Sequence, residues 1–200
     1  MTKLIGRTEL NNHRCTGFTL VELMMVLAIA SILVTVGIPS FMNVSASNKV
    51  TTASNGMVSM LNLAKSEAIH SGSTVALCKL NTAGTACDSS ANWSQGSLLF
   101  SDSDGDATLD PGERVIRIQP APDANLNFTF VRTGGADGDS GNSNASTANV
   151  LVFTSRGRSL AEGRFCYENP HDAANSRAVE IKLSGHFSTQ KRSSSSNCSS

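Results

Sequence analysis

A single carboxylate lies near the start of a long apolar run. Residues 18–41 read FTLVELMMVLAIASILVTVGIPSF, and Glu22 is the one ionisable side chain among them. In lipid a bare carboxylate costs about 2.5 kcal/mol or more, so Glu22 needs a cationic partner or access to the interface. No Lys or Arg lies within the run, and the cation that the chain could supply is the α-amine made by a cut just before Phe18. The residue types predict carboxylate–amine pairing, with snorkelling to the interface as the alternative.

Four of the five cysteines follow this run, and the fifth, Cys15, precedes it. An even number of cysteines in an exported domain is typical of disulfides formed in an oxidising compartment. Three pairings are possible. We favour Cys78–Cys87, nine residues apart beside a turn, and Cys166–Cys198, which would tie down the C-terminal tail. Free buried thiols are the alternative.

An acidic turn at residues 102–113 has a spacing that could bind calcium. Its carboxylates fall at positions 1, 3, 5, 9 and 12 of an EF-hand count. However, Ala107 stands where that loop requires glycine, and the flanking residues are typical of strands rather than helices. We therefore favour a hydrated turn between two strands, with calcium binding as the alternative, and predict no metal site and no cofactor.

The sequence offers little support for an enzyme. It contains no G-x-S-x-G or H-E-x-x-H motif and no closely spaced His/Cys metal set. A nucleophilic Cys166 with His171 or His186 is formally possible, but a disulfide at Cys166 would remove it. The sixteen Lys and Arg balance sixteen Asp and Glu, which argues against a general nucleic-acid coat.

The apolar run is long enough to cross a membrane. As a helix, residues 18–41 would extend about 36 Å, against a hydrocarbon core of about 30 Å. The run is too long for a typical buried core helix or a cleaved secretory signal, and no small-x-small site follows it. The polar leader, residues 1–17, has a net charge of +2 and is expected to stay in the cytoplasm, so everything after residue 41 is exported.

The helix is predicted to continue beyond the span with one apolar face. Val50, Ala53, Met57, Leu61, Ala64 and Ala68 recur every three or four residues, a stripe that needs a covering sheet. Pro39 and Gly56 are expected kink or soft points, and Ser71-Gly72 is the expected stop.

The rest of the chain is predicted to be rich in β-strands. Short apolar or alternating runs lie between polar turns, and no second long helix is evident. Thr133–Asn149 is a predicted surface loop. The predicted strands are Thr74–Lys79, Ser97–Ser101, Arg114–Ile118, Asn125–Val131, Asn149–Thr154, Arg164–Glu168, Ala178–Leu183 and His186–Thr189.

The N-terminal residues resemble the leader of type IV pilins and type II secretion pseudopilins. Arg14 to Glu22 read RCTGFTLVE and continue into the apolar run, and these positions match the leader pattern without a gap. The resemblance implies that a prepilin peptidase cuts after Gly17 and N-methylates Phe18. It further implies that Glu22 pairs with a neighbouring subunit's amine during assembly, and that Pro39 kinks the helix.

The β domain resembles the GspH/FimT branch of minor pilins and pseudopilins. The residues that carry this resemblance are Trp93 to Gly96 (WSQG), Glu113 to Arg117 (ERVIR), Val152 to Arg158 (VFTSRGR), and Arg177 to Ile181 with Ser184-Gly185. Some FimT-like members bind DNA through G-R-x-R, but here Gly185 to Ser188 read GHFS. Contacts to DNA phosphates would need cations such as those of Arg156, Arg158, Lys191 and Arg192, but a solvated turn is the interpretation that we favour for these charges.

Together these features predict an α+β protein with the type IV pilin-like fold, one long helix packed on an antiparallel β-sheet domain. The expected parts are a leader at 1–17, a helix at 18–72 with its transmembrane half at 18–41, and a periplasmic β domain at 73–200. The implied function is a non-enzymatic minor subunit that initiates or caps a type IV pilus. The alternatives are a minor pseudopilin of type II secretion and a DNA-binding competence pilin. Expected partners are other pilin subunits, prepilin peptidase and the inner membrane.

Overall fold

The computed structural model describes residues 17–122, 126, 128–135, 149–169 and 175–192. The chain divides into two compact units, Met1–Phe41 and Met42–Ser200, and each is described by itself.

One helix, α1, runs from Leu20 to Ser71 over 52 residues. It ends at Gly72, which has a φ of 68° and donates its backbone N–H to the Ala68 carbonyl at 3.1 Å. A left-handed glycine directly after the last helical residue is a common helix stop, so the predicted end is confirmed. Gly56 lies inside the continuous helix.

The predicted apolar stripe of the second helical half is buried, as expected. Exposure does not exceed 4% at any of its six positions. Each large side chain buried in this way contributes roughly 1.5–3 kcal/mol to folding. The members are Val50, Ala53, Met57, Leu61, Ala64 and Ala68.

Two four-stranded antiparallel sheets form the β domain. The first has the order β3-β2-β1-β5 and the second the order β4-β6-β7-β8. The strands of the first sheet are β1 (Thr74–Lys79), β2 (Gly96–Asp102), β3 (Val115–Pro120) and β5 (Val150–Phe153). Those of the second are β4 (Phe128–Gly135), β6 (Ala161–Tyr167), β7 (Ser176–Ile181) and β8 (Phe187–Arg192).

All eight predicted strands are present: β1 has the predicted bounds, and the other seven have shifted ends. The clearest correction concerns the predicted loop Thr133–Asn149, because β4 continues to Gly135. Gly134 and Gly135 pair with Glu162 and Ala161 of β6, beyond a register shift. Partner backbone thus extends the strand through a glycine-rich segment that composition alone assigns to a loop. Residues 136–148 lie outside the described part.

Both sheets pack on the helix stripe in one core. Val75, Leu99 and Phe153 of the first sheet belong to the same buried cluster as Phe130 and Phe165 of the second. Trp93 packs edge-on against Phe165, with 5.1 Å between ring centroids. A second cluster covers the other face of the first sheet. Every buried residue of the two clusters lies between Val50 and Ile181, so the segment from Met42 onward contains its own core.

Candidate functional site

Thr19 caps the start of α1. Its hydroxyl oxygen accepts a hydrogen bond from the Glu22 backbone N–H at 3.2 Å, and its carbonyl accepts one from Leu23 at 3.1 Å. Thr19 is therefore the N-cap residue and Glu22 the third residue of the helix. The sequence analysis missed this role, although the spacing T-x-x-E is a recognised start signal.

The residues around the helix start are exposed. Phe18 is 77% exposed, and Gly17 and Glu22 are also exposed. Among the residues that the structure describes, no ion pair of Glu22 is found. The carboxylate therefore lies on an accessible surface, four residues after Phe18, where the first-turn N–H groups also favour negative charge.

The apolar side chains that follow are also exposed. The large apolar side chains that the structure describes from Leu20 to Phe41 are more than half exposed, including Leu27 at 60% and Leu33 at 67%. By length and composition, α1 can cross a membrane. Pro39 occupies a helical position, but its side chain lies outside the described part, so the kink stays a prediction. Arg14 and Cys15 lie outside the described residues.

Cys78 and Cys87 form a disulfide, with sulfurs 1.98 Å apart and Cα atoms 5.6 Å apart. The bond closes the segment that follows β1. Cys166 is buried and also disulfide-bonded, so it is not a free nucleophile. Cys198 lies outside the described residues, and the Cys166–Cys198 pairing stays a prediction. His171 is likewise outside the described part.

The acidic turn lies between β2 and β3, as predicted. Oxygen atoms of Asp102, Asp104 and Asp106 lie within 4.8 Å of one another, a spacing that could hold a cation. The buried Asp102 carboxylate accepts hydrogen bonds from the backbone N–H groups of Gly105 at 2.8 Å and Ala107 at 3.3 Å. Burial raises the pKa of Asp102.

The side chains of Glu113 and Ala107 also stabilise the conformation of the acidic turn. Glu113 accepts hydrogen bonds from the backbone N–H groups of Ser103 at 2.7 Å and Asp110 at 3.2 Å. Ala107 adopts a φ of 63° and packs with Leu109 in the outer cluster of the first sheet. Hydrogen bonding to loop N–H groups and apolar anchoring therefore account for the turn's shape without a cation.

The four basic residues considered for DNA binding are divided between the two sheets. Arg156 and Arg158 lie in the turn after β5 and are exposed. Lys191 and Arg192 lie at the end of β8, an edge strand of the second sheet.

In the part of the chain that the structure describes, these features define a class of protein: a long helix that is apolar and exposed in its first half and packs in the core of an antiparallel β domain with its second half. The family model described as type II transport protein GspH matches residues 53–185, about two-thirds of the chain. The prokaryotic N-terminal methylation motif matches residues 12–38. The chain belongs to the GspH family, which confirms the predicted relationship to minor pilins and pseudopilins.

Solved structures of such proteins are similar to this chain. The type IV minor pilin FimU of Pseudomonas aeruginosa is 16% identical, over 72% of this chain and 89% of its own, with a TM-score of 0.47. The minor pseudopilin EpsH of the Type 2 Secretion System of Vibrio cholerae is 13% identical, over 72% of this chain and 97% of its own, with a TM-score of 0.47. No curated protein matches the chain.

Proposed function

We propose that this chain is a structural minor subunit of a type IV pilus, which helps to initiate or cap the fibre and has no catalytic role. The observation that carries the proposal is the exposed Glu22 carboxylate in the first turn of an apolar helix, four residues after Phe18. The methylation motif over residues 12–38 supports the same reading.

Processing by a prepilin peptidase is the first step of the proposed pathway. The enzyme cuts after Gly17 and methylates the new amine of Phe18. Both residues are exposed and precede the helix, which begins at Leu20. The scissile peptide is therefore outside regular secondary structure, and a protease can bind it in an extended conformation.

Charge pairing then favours assembly within the membrane. The Glu22 carboxylate of an incoming subunit pairs with the Phe18 amine of a neighbour. At about 4 Å, and with an effective dielectric constant of about 20, such a pair gains roughly 4 kcal/mol. This gain offsets a large part of the cost of about 2.5–3.5 kcal/mol that each of the two charges carries in lipid.

The apolar first half of the helix anchors the subunit before assembly. In this proposal residues 18–41 cross the inner membrane, the basic leader stays in the cytoplasm, and the β domain lies in the periplasm. The Cys78–Cys87 disulfide supports an oxidising compartment for the domain. Small residues such as Ala28, Ala30 and Ser31 permit close approach of neighbouring helices in the fibre.

The substitution Glu22→Ala tests the pairing. We expect the variant to be cut and methylated at Phe18 but incorporated into sheared fibres at least about tenfold less, which corresponds to ~1.4 kcal/mol. Mass spectrometry of the mature N-terminus and quantitative immunoblotting of fibres provide the two readouts. Glu22→Asp, which keeps the charge, should retain more incorporation than Glu22→Gln. Normal incorporation of Glu22→Ala would refute the pairing.

A minor pseudopilin of type II secretion is the second candidate, because the matching family model is described by that transport system. Deletion of the gene separates the two candidates. Loss of surface pili with normal protein secretion supports the pilus, and loss of secretion with normal pili supports the pseudopilus.

A further inference from the structure

Two turns of the β domain are in close contact with each other and with the last turns of α1. Lys65 donates a hydrogen bond from Nζ to the Gly185 carbonyl at 2.9 Å. A Cβ atom on Gly185 would lie 1.8 Å from the Gly157 carbonyl oxygen, and one on Gly157 would lie 2.8 Å from Cδ1 of Ile69. The turns at 154–158 and 182–186 therefore form one rigid surface with the helix end, which we call the two-turn face.

Two grooves lie on this face. The first has a volume of about 620 Å³ and is lined by residues that include Lys65, Ile69, His70, His186 and Phe187. The second, of about 510 Å³, is lined by residues that include Arg156, Arg158, Leu160 and Leu183.

The two grooves combine exposed apolar side chains with basic ones. Ile69 is 53% exposed and Leu160 is 39% exposed, in a domain that buries most of its large apolar side chains. Among the described residues, no Asp or Glu lines either groove. The Lys182 ammonium, in the same turn as Gly185, is paired with Glu180 at 2.9 Å and Glu162 at 3.1 Å, so it adds little to this charge. Exposed apolar area with a polar rim is characteristic of an interaction site, and the basic side chains of this rim favour an acidic partner.

We propose that the two-turn face binds an acidic segment of a neighbouring fibre subunit, with carboxylates at Arg156, Arg158 and Lys65 and apolar side chains against Ile69 and Leu160. This inference rests on the proposed function as a fibre subunit. Because the turns and the helix end are already locked together, the surface needs little ordering to bind.

The surroundings favour a protein segment over a nucleic acid. In the first sheet Thr74 pairs with Asp102, and Val75 pairs with Phe153. The acidic turn after β2 and the Arg156 turn after β5 therefore flank the same end of β1. A long polyanion bound at the Arg156 turn would be repelled by the exposed carboxylates of the acidic turn, and this repulsion grows with the number of anionic groups that extend toward them.

Site-specific photo-crosslinking of the full chain in the producing cells tests the proposal. A benzophenone amino acid is placed at Ser66 in the first groove, at Ser155 in the second, and at Thr129 on β4 as an exposed control. We expect the groove positions to crosslink to an Asp- or Glu-containing segment of another pilin-like subunit in the fibre fraction, and the control position to give a different pattern.

Charge reversal supplies the decisive comparison. Arg156→Glu with Arg158→Glu should lower the crosslink yield about tenfold, whereas Arg117→Glu, an exposed reversal on β3, should change it less than about twofold. Exchange of the partner's crosslinked carboxylates for Lys should restore the yield with the reversed variant.

Crosslinking to nucleic acid, crosslinking to a segment without carboxylates, or an unchanged yield after the double reversal would overturn the proposal. A subunit present in fibres without any groove crosslink would overturn this proposal alone. A folded subunit that never enters fibres would overturn the proposed function together with it.

Discussion

The two halves of α1 are both rich in apolar residues, yet they differ in how those residues are arranged and covered. From Leu20 to Phe41 apolar residues occupy every side of the helix, and those that the structure describes are exposed. From Met42 to Ser71 they concentrate in one stripe, and that stripe is buried by both sheets. The arrangement of apolar residues around the axis thus decides which environment a helix segment requires: lipid or other helices for the first half, a sheet for the second.

Small residues have different consequences in the two halves. Ala53, Ala64 and Ala68 lie under the sheets and allow the strands to approach the helix closely. Ala28 and Ala30 are exposed within their own unit. The same residue type is thus part of a finished core in one half and of a surface available for packing in the other.

The largest expected effect is on the free energy of unfolding, and it distinguishes the two halves of α1. Leu61→Ala should lower the free energy of unfolding by about 3 kcal/mol, because Leu61 is fully buried and its truncation leaves a cavity. Leu27→Ala, in the exposed half, should leave this free energy unchanged. Denaturant unfolding of the full chain in one detergent, followed by fluorescence of the buried Trp93, measures both variants. Equal losses of free energy of unfolding in Leu61→Ala and Leu27→Ala would contradict the difference in burial between the two halves.

A smaller effect on the free energy of unfolding is expected at Gly56, which lies in the covered half of α1. Gly56→Ala removes a glycine from the helix interior, which favours folding by up to about 1 kcal/mol. The new Cβ would lie 2.8 Å from the amide nitrogen of the Gln119 side chain, which must move. Because this neighbour is the end of a flexible side chain, we expect a net stabilisation of about 0.5 kcal/mol.

Asn55→Ala serves as the matched control for Gly56→Ala, since Asn55 is exposed on the adjacent helical position. It should show the gain in helix propensity without the contact to β3. A clear loss of stability in Gly56→Ala alone, measured in the same unfolding assay, would mean that Gln119 cannot move and that the contact is tighter than inferred.

The smallest expected effect concerns the acidic turn. Removal of divalent cations with excess chelator should leave the melting temperature of the segment from Met42 onward unchanged, because Ala107 and Leu109 anchor the turn in the outer cluster of the first sheet and hydrogen bonds to Asp102 and Glu113 hold it. Differential scanning calorimetry with and without added calcium measures the effect. A lower melting temperature in chelator would establish the calcium alternative.

Much of the fold could be predicted because it depends on local patterns. The stripe from Val50 to Ala68, the helix stop at Gly72 and all eight strands follow from the spacing of apolar residues and from turn residues. The position of Glu22 within the apolar run is likewise visible in the sequence. The Thr19 cap was also readable there but was missed.

Other features could not be predicted because they depend on contacts between distant segments. The order of the strands is one example: β4 lies between β3 and β5 in the chain but belongs to the other sheet. The inward position of Asp102 and Ala107 is another, since the alternation of carboxylates suggests an exposed turn.

The sequence by itself determined that this chain has an apolar helix with one acid within an N-terminal methylation motif, followed by a helix half that a sheet must cover. These properties are encoded by side-chain periodicity, which acts over a few residues. The tertiary structure alone decided the division into two sheets, the contact between Gly157 and Gly185, and the grouping of Lys65, Arg156 and Arg158 on one face. Each of these depends on which backbone segments approach one another, and no local pattern specifies that choice.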